Sequence, residues 1–245
     1  MAFILNEHTW TEIAEQVKRA PIALLPLGST EQHGYHLPLG TDIFLARHLA
    51  CSVSDRTDAI VLPDLNFGYS WVWRDRIGTV ALRQPVLQEV LKDIAHSVER
   101  WGIRVLLIIN GHEANGATMK YAVREVSDET PIKVMACFYP GLSASLEAHV
   151  ESTTWGGMFH ADEFETSLML AARPELVHQD RAVSEYPERP VLYGYDNTSI
   201  GDLSVSGVYG NPVIADADKG RRMFEEFIER ICTLLSTALN EFEEQ

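Results

Sequence analysis

The chain has 245 residues, enough to bury roughly 70–75% of the surface its unfolded form would expose and to build one sizeable core. A hydrophobic content of 46% and a charged content of 22% exclude a disordered, collagen-like or coiled-coil chain. With 20 Lys and Arg against 35 Asp and Glu the formal charge is −15, which excludes a nonspecific binder of nucleic-acid backbone, since that needs a basic field.

Taken in chain order, Thr9 followed three residues later by Glu12 predicts a capping box that opens a helix ending near Ala20. The apolar run 22–27, bounded by Pro21 and Gly28, predicts a strand buried on both faces. Helical spacing of Ile43, Ala46, Leu49, Ala50 and Val53 predicts a helix over 42–54, with Asp42 available as its N-cap. Further strands are expected at 59–62, 79–82, 104–110 and 132–138, and further helices at 85–101, 115–129, 162–172 and 216–242. This alternation predicts an α/β fold with a mostly parallel sheet covered on both sides, as one domain over 1–245. The acidic end Glu241-Phe242-Glu243-Glu244 reads as a solvated helix terminus.

Three scattered cysteines, Cys51, Cys137 and Cys232, form no CxxC pair and read as reduced packing residues. No segment reaches the roughly 20 apolar residues of a membrane span, and the first residues lack a basic region followed by an apolar one, so a cytoplasmic protein without a membrane partner is expected.

Ligands of such sheets bind beyond the carboxyl ends of the strands, which singles out two loops. The first, GSTEQHGYHLPLGTD at 28–42, places Glu31, His33, His36 and Asp42 within twelve residues. The second, NGHEANG at 110–116, supplies His112 and Glu113. Imidazole and carboxylate together suit Zn, Mn or Fe. These groups could instead make turns and caps. A third segment, HADEFETSLML at 160–170, puts Asp162 and Glu165 at the spacing of an N-cap and its third-position carboxylate, so a capping role and a ligand role for Glu165 are both open. The lone histidines His8, His48, His96, His149 and His178 have no partner spacing, and no GxSxG elbow supports a serine hydrolase.

These three segments, with GVYGNP at 207–212, resemble the creatininase (creatinine amidohydrolase) family over almost the whole chain. The resemblance implies a three-layer α/β/α fold, a homo-oligomer that is often a hexamer, and a dinuclear site of two divalent ions acting on small cyclic amides or formamides. It implies that Glu31, His33, Asp42 and His112 are metal ligands, with Asp42 bridging, and that His160 transfers protons. Creatininase has a ligand glutamate two residues after the histidine of the NGH motif, where this chain has Ala114. Glu165 is the first candidate to replace it, followed by Glu163 and Glu113. Ser70, Glu113 and Trp155 are the expected substrate contacts.

Many relatives carry Ser-x-Glu-His and then Phe-Pro-Gly-Thr, whereas this chain reads SWVWRDRIGT at 70–79. Two tryptophans and two arginines there suggest either a pocket for a planar, cyclic or anionic ligand or an oligomer interface. Strict creatininase activity is therefore not expected. The alternatives are ring-opening hydrolysis of a keto-sugar or peptide cleavage at the same metal pair, and, from another class, a non-catalytic metal-binding scaffold.

Overall fold

The computed structural model describes residues 1–157 and 159–243. Strand β1 (Phe3–Ile4) is followed by helix α1 (Trp10–Arg19), whose capping box forms as expected: the Thr9 hydroxyl accepts from the Glu12 amide, and the Glu12 carboxylate accepts from the Thr9 amide. Then come β2 (Ile22–Leu27), α2 (Thr41–Thr57), β3 (Ile60–Val61), α3 (Gln84–Glu99) and β4 (Val105–Asn110). The order continues with α4 (Gly116–Glu129), β5 (Lys133–Phe138), α5 (Leu142–His149), α6 (Glu163–Ala172), the short α7 (Ile200–Leu203) and the long α8 (Ala217–Glu243).

Among the described residues the five strands form one parallel sheet in the order β1-β3-β2-β4-β5. Alternation along the central strands divides the core into two layers. Ile22 and Leu24 of β2, with Val105, Leu107 and Ile109 of β4, pack under α2, α6 and α8. Ala23, Leu25, Leu27, Leu106 and Ile108 face the other way, under α1, α3 and α4. Because successive side chains of a strand point to opposite faces, continuous apolar runs are what a sheet covered on both sides requires. Pro26 is tolerated in a central strand because its carbonyl, and hence its missing amide proton, faces the β3 side beyond the end of that strand, where the Leu65 amide donates to the Pro26 carbonyl.

The expected strand at 79–82 does not form. It is reduced to a bridge between Thr30 and Val80 and a Leu82 amide bond to the Gly68 carbonyl, with Val80 exposed and no layer covering it. Helix α2 begins at Thr41 with Gly40 at its cap, so the possible capping role of Asp42 gives way to another. Helix α5 had no sequence signal strong enough to announce it. Of the acidic end, Glu241 pairs with Lys133, while Glu244 lies outside the described residues. Among the described residues no helix is long and apolar enough to cross a membrane.

Candidate metal centre

The parallel sheet carries β2 and β4 side by side in register to Leu27 and Asn110, so the two loops leave the same edge together. Two glycines let them converge. A side chain on Gly28 would strike the backbone of Ile43, and one on Gly111 would strike the carbonyl of Asp42, so both positions admit the first turn of α2 against the strand ends. Asp42 is thereby turned inward between the two loops.

Five side chains meet there, all buried: Glu31, His33 and Asp42 from the first loop and α2, His112 from the second loop, and Glu165 from α6. His33 Nε2 lies 3.1 Å from Asp42 Oδ1 and 3.8 Å from Glu165 Oε2. His112 Nδ1 lies 3.1 Å from Asp42 Oδ2 and 3.4 Å from Glu31 Oε1. Asp42 therefore presents one oxygen to each of two donor groups, Glu31-Asp42-His112 and His33-Asp42-Glu165.

The histidine tautomers follow from their outer partners, because a backbone carbonyl can only accept. His33 Nδ1 donates to the Glu31 carbonyl at 3.2 Å and His112 Nε2 to the Tyr69 carbonyl at 3.0 Å, whereas His160 Nε2 meets both the Gln32 carbonyl at 2.8 Å and the Gln32 side-chain amide nitrogen at 2.9 Å. His33 and His112 consequently turn their second nitrogen toward the carboxylates, and a nitrogen in that position needs a proton or a cation between it and the carboxylate. Glu31 Oε1, His33 Nε2 and Asp42 Oδ2 make no hydrogen bond of acceptable geometry although buried, the expected state of atoms aimed at a common centre rather than at one another.

Electrostatics agree. Burial alone would lower His33, but Asp42, Glu165 and Glu31 reverse that and raise it to about 10; burial would likewise lower His112, and Glu31 with Asp42 raises it to about 9. Burial raises Glu165 to about 7, with the His33 charge opposing the rise. Three buried carboxylates thus demand positive charge in the site. The mixed N/O donors, inward-facing ring nitrogens and orphaned oxygens fit divalent cations of the Zn, Mn or Fe kind.

The remaining expected residues fall in different places. Glu165 is the third residue after its N-cap, and Asp162 does cap the helix by accepting from the Phe164 and Glu165 amides at 3.0 and 3.3 Å. The Glu165 carboxylate, however, reaches past the cap to the Ala161 amide and toward His33, so the reciprocal half of a capping box is absent. Glu163 points away, accepting from the Glu151 and Ser152 amides and from Lys219. His36 joins none of the donor groups; its Nε2 meets the Thr166 hydroxyl at 2.9 Å, tying the first loop to α6, and burial lowers it to about 4.

His160 is buried, and its Nδ1 stands 3.8 Å from Glu31 Oε1. The ring stacks on Trp73 with centroids 4.5 Å apart, and burial, reinforced by His33, holds its pKa well below the usual histidine range. Ser70 is fully buried against Ser29, and Ser29 lies 3.4 Å from Glu31 Oε2, so Ser70 stands behind a carboxylate rather than facing a ligand. Trp155 does not line the cavity: its indole donates to the Pro187 carbonyl and its ring packs edge-on against Tyr193 and Tyr209. Arg74 lies over Trp71, and Arg76 donates to the carbonyls of Gly201, Ser204 and Val205, so the arginines of this segment do not form an anion pocket.

The carboxylates open into a cavity of about 70 Å³ walled by Trp73, Phe138, Phe159 and Ile200, with Glu113 and Ala114 at one side. Phe138 and Phe159 escaped sequence reasoning. Phe138 ends β5, at the same carboxyl edge that singled out the two loops, and could have been found by the same rule.

Residues 6–235 match the family model described as creatinine amidohydrolase. The chain is 32% identical over 220 residues to the mycofactocin precursor peptide peptidase of Mycobacterium ulcerans (strain Agy99), covering 85% of this chain and 82% of that protein. It is 28% identical over 245 residues to the creatinine amidohydrolase of Pseudomonas putida, covering 93% and 94%. Among solved structures, a mutant creatininase of Zn-Zn type superposes with a TM-score of 0.84 at 28% identity, covering 96% of this chain and 97% of that one. A creatininase described with Mn superposes with a TM-score of 0.83 at 27% identity, covering 96% and 98%.

Proposed function

This chain belongs to the creatininase family of metal-dependent hydrolases that act on C–N bonds, and from that premise we propose that it hydrolyses a small cyclic amide, formamide or related compound at two divalent ions. The observation that carries the reading is Asp42, which offers Oδ1 beside His33 and Oδ2 beside His112. In this reading Glu31 and His112 hold one ion, His33 and Glu165 the other, and Asp42 both. Zn, Mn or Fe fits these donors. Such ions, when bound, lower the pKa of water toward about 7 and polarise a carbonyl oxygen.

The chain's own residues do the rest. His160 is kept neutral by burial, and Gln32 holds its Nε2 through both the backbone carbonyl and the side-chain amide, so Nδ1 is the nitrogen that faces the site; in this reading the ring takes a proton from the attacking water and passes it to the departing nitrogen. Trp73 holds the plane of that ring. Ser29 and Ser70, behind Glu31 Oε2, leave Oε1 to face the site. The aromatic walls keep bulk water out.

Creatinine is not the proposed substrate, because Ala114 stands where creatininase has a ligand glutamate and the 70–79 segment departs from its relatives. A second reading, peptide cleavage, is favoured by the 32% identity to a peptide peptidase. Chelator-stripped protein, restored with Zn or Mn, should be screened on lactams, hydantoins, formamides, sugar lactones and short peptides. Metal-dependent hydrolysis of an amide or formamide is expected, with His160→Ala losing at least about 100-fold in turnover while keeping its metal. Turnover of peptides alone would select the second reading, and turnover indifferent to metal would reject both.

A further inference from the structure

Resting on that reading, we infer that Glu113 selects substrates whose part beyond the reacting carbonyl carries a positive charge. Glu31, Asp42 and Glu165 face the donor histidines deep in the cavity and are committed to the cations. Glu113 differs. It sits on the single turn after His112, exposed, lining the same cavity, and its carboxylate has no hydrogen bond or ion pair among the described residues.

The cavity of about 70 Å³ holds about five to seven water-sized spheres at roughly 10–15 Å³ each, so it encloses only the reacting end of a substrate with more than a handful of heavy atoms. Of the described residues that line it only Glu113 is exposed, with Val72, Ala114, Phe138 and Phe159 half-buried, so the remainder of a substrate leaves over a rim that carries an unpaired carboxylate. No Lys or Arg lines the cavity among the described residues. The nearby guanidinium groups are engaged elsewhere, Arg74 over Trp71, Arg76 on three carbonyls and Arg189 over Tyr193. Nothing among the described residues at the rim recognises a carboxylate, whereas an ammonium or amidinium group would meet an unpaired anion.

Hydroxamates test this without knowledge of the natural substrate, because they chelate the ions whatever their tails. Zinc-loaded protein should be titrated calorimetrically with three probes of similar length: β-alanine hydroxamate with an ammonium tail, butyrohydroxamate with a neutral one, and succinic monohydroxamate with a carboxylate. The ammonium probe is expected to bind about two- to fivefold more tightly than the neutral one, the range of an exposed charge pair, and the carboxylate probe more weakly. Glu113→Gln should erase this ranking and Glu113→Lys reverse it, and because Glu113 is exposed both variants should melt like the native protein. Equal affinities in the native protein, or a ranking unchanged in Glu113→Gln, would overturn the inference alone. Failure of all three probes to bind would remove the metal-site reading and this inference with it.

Discussion

At the scale of single residues, Asp42 and Glu165 separate coordination from ordinary structure. Asp42→Asn keeps the shape of the side chain but removes the charge shared by both donor groups, so it should retain fewer metal ions per chain than the native protein in elemental analysis. A native ion count in that variant would end the bridging assignment. Glu165→Gln should lower metal affinity at least about tenfold, whereas its cost to the metal-free fold should stay within about 1 kcal/mol because burial already holds that carboxyl near neutrality. Metal titration beside a thermal melt compares the two. The histidines give a proton count. His33 and His112 are raised to about 10 and about 9 in the metal-free site, well above the ordinary value near 6.5. Their protonated forms stabilise the metal-free fold fully below about pH 6.5, and this contribution fades as the pH climbs through 9 to 10. A cation must displace those protons and any held by Glu165 and Glu31, which burial raises, so metal affinity should rise with pH from about 7 to 9, with at least about two protons released per chain at about pH 7.5. Calorimetry in buffers of different protonation enthalpy measures the release, and a value near zero would contradict the charge balance.

At the scale of elements, the site depends on how closely α2 approaches the ends of β2 and β4. Gly111→Ala pushes a methyl group into the Asp42 carbonyl, a backbone atom that cannot rotate away. The variant should lose about 1–3 kcal/mol of stability, seen as a lower melting temperature, together with metal content, because the displaced turn carries Asp42. The start of α6 behaves differently. Asp162→Ala removes the acceptor for the Phe164 and Glu165 amides and should cost about 1 kcal/mol, a fall of about 2–4 °C in the melt of a chain this size, whereas Asp162→Asn should keep most of the cap. An Asp162→Ala melt equal to the native one would show that water replaces the cap.

At the scale of the whole molecule, three buried carboxylates at one edge of the sheet make stability a function of bound cation. Free metal at about 100 times its dissociation constant should add about 2.7 kcal/mol, raising the melting temperature by about 5–11 °C over the chelated protein. Differential scanning calorimetry with zinc and with chelator checks this. A melt insensitive to metal would mean that no cation binds the folded chain here and would reject the metal-centre reading.

The apolar runs of β2 and β4 and the amphipathic spacing of α2 and α3 declared a doubly covered parallel sheet, because strands buried on both faces have no other way to hide continuous apolar sequence. The carboxyl-edge rule then pointed from sequence to the loops of Glu31, His33, Asp42 and His112. Linear spacing left other matters open. The stretch 79–82 has strand composition but no neighbour to cover it, and pairing is a property of two segments, not one. Glu165 and Glu163 are two residues apart on the same helix, and their spacing allowed either to serve the site; only the packing of α6 against α2 and α8 turned Glu165 toward His33 and Glu163 toward Lys219. Ser70 and Trp155 looked equally available for substrate, until burial behind Glu31 and a bond to Pro187 placed both away from the cavity. Sequence by itself determined which residue types could hold a cation, since donor chemistry belongs to the side chain. Tertiary structure decided which of them face one another, because that depends on helix rotation and on two glycines that let loops far apart in the chain close on the same turn of α2.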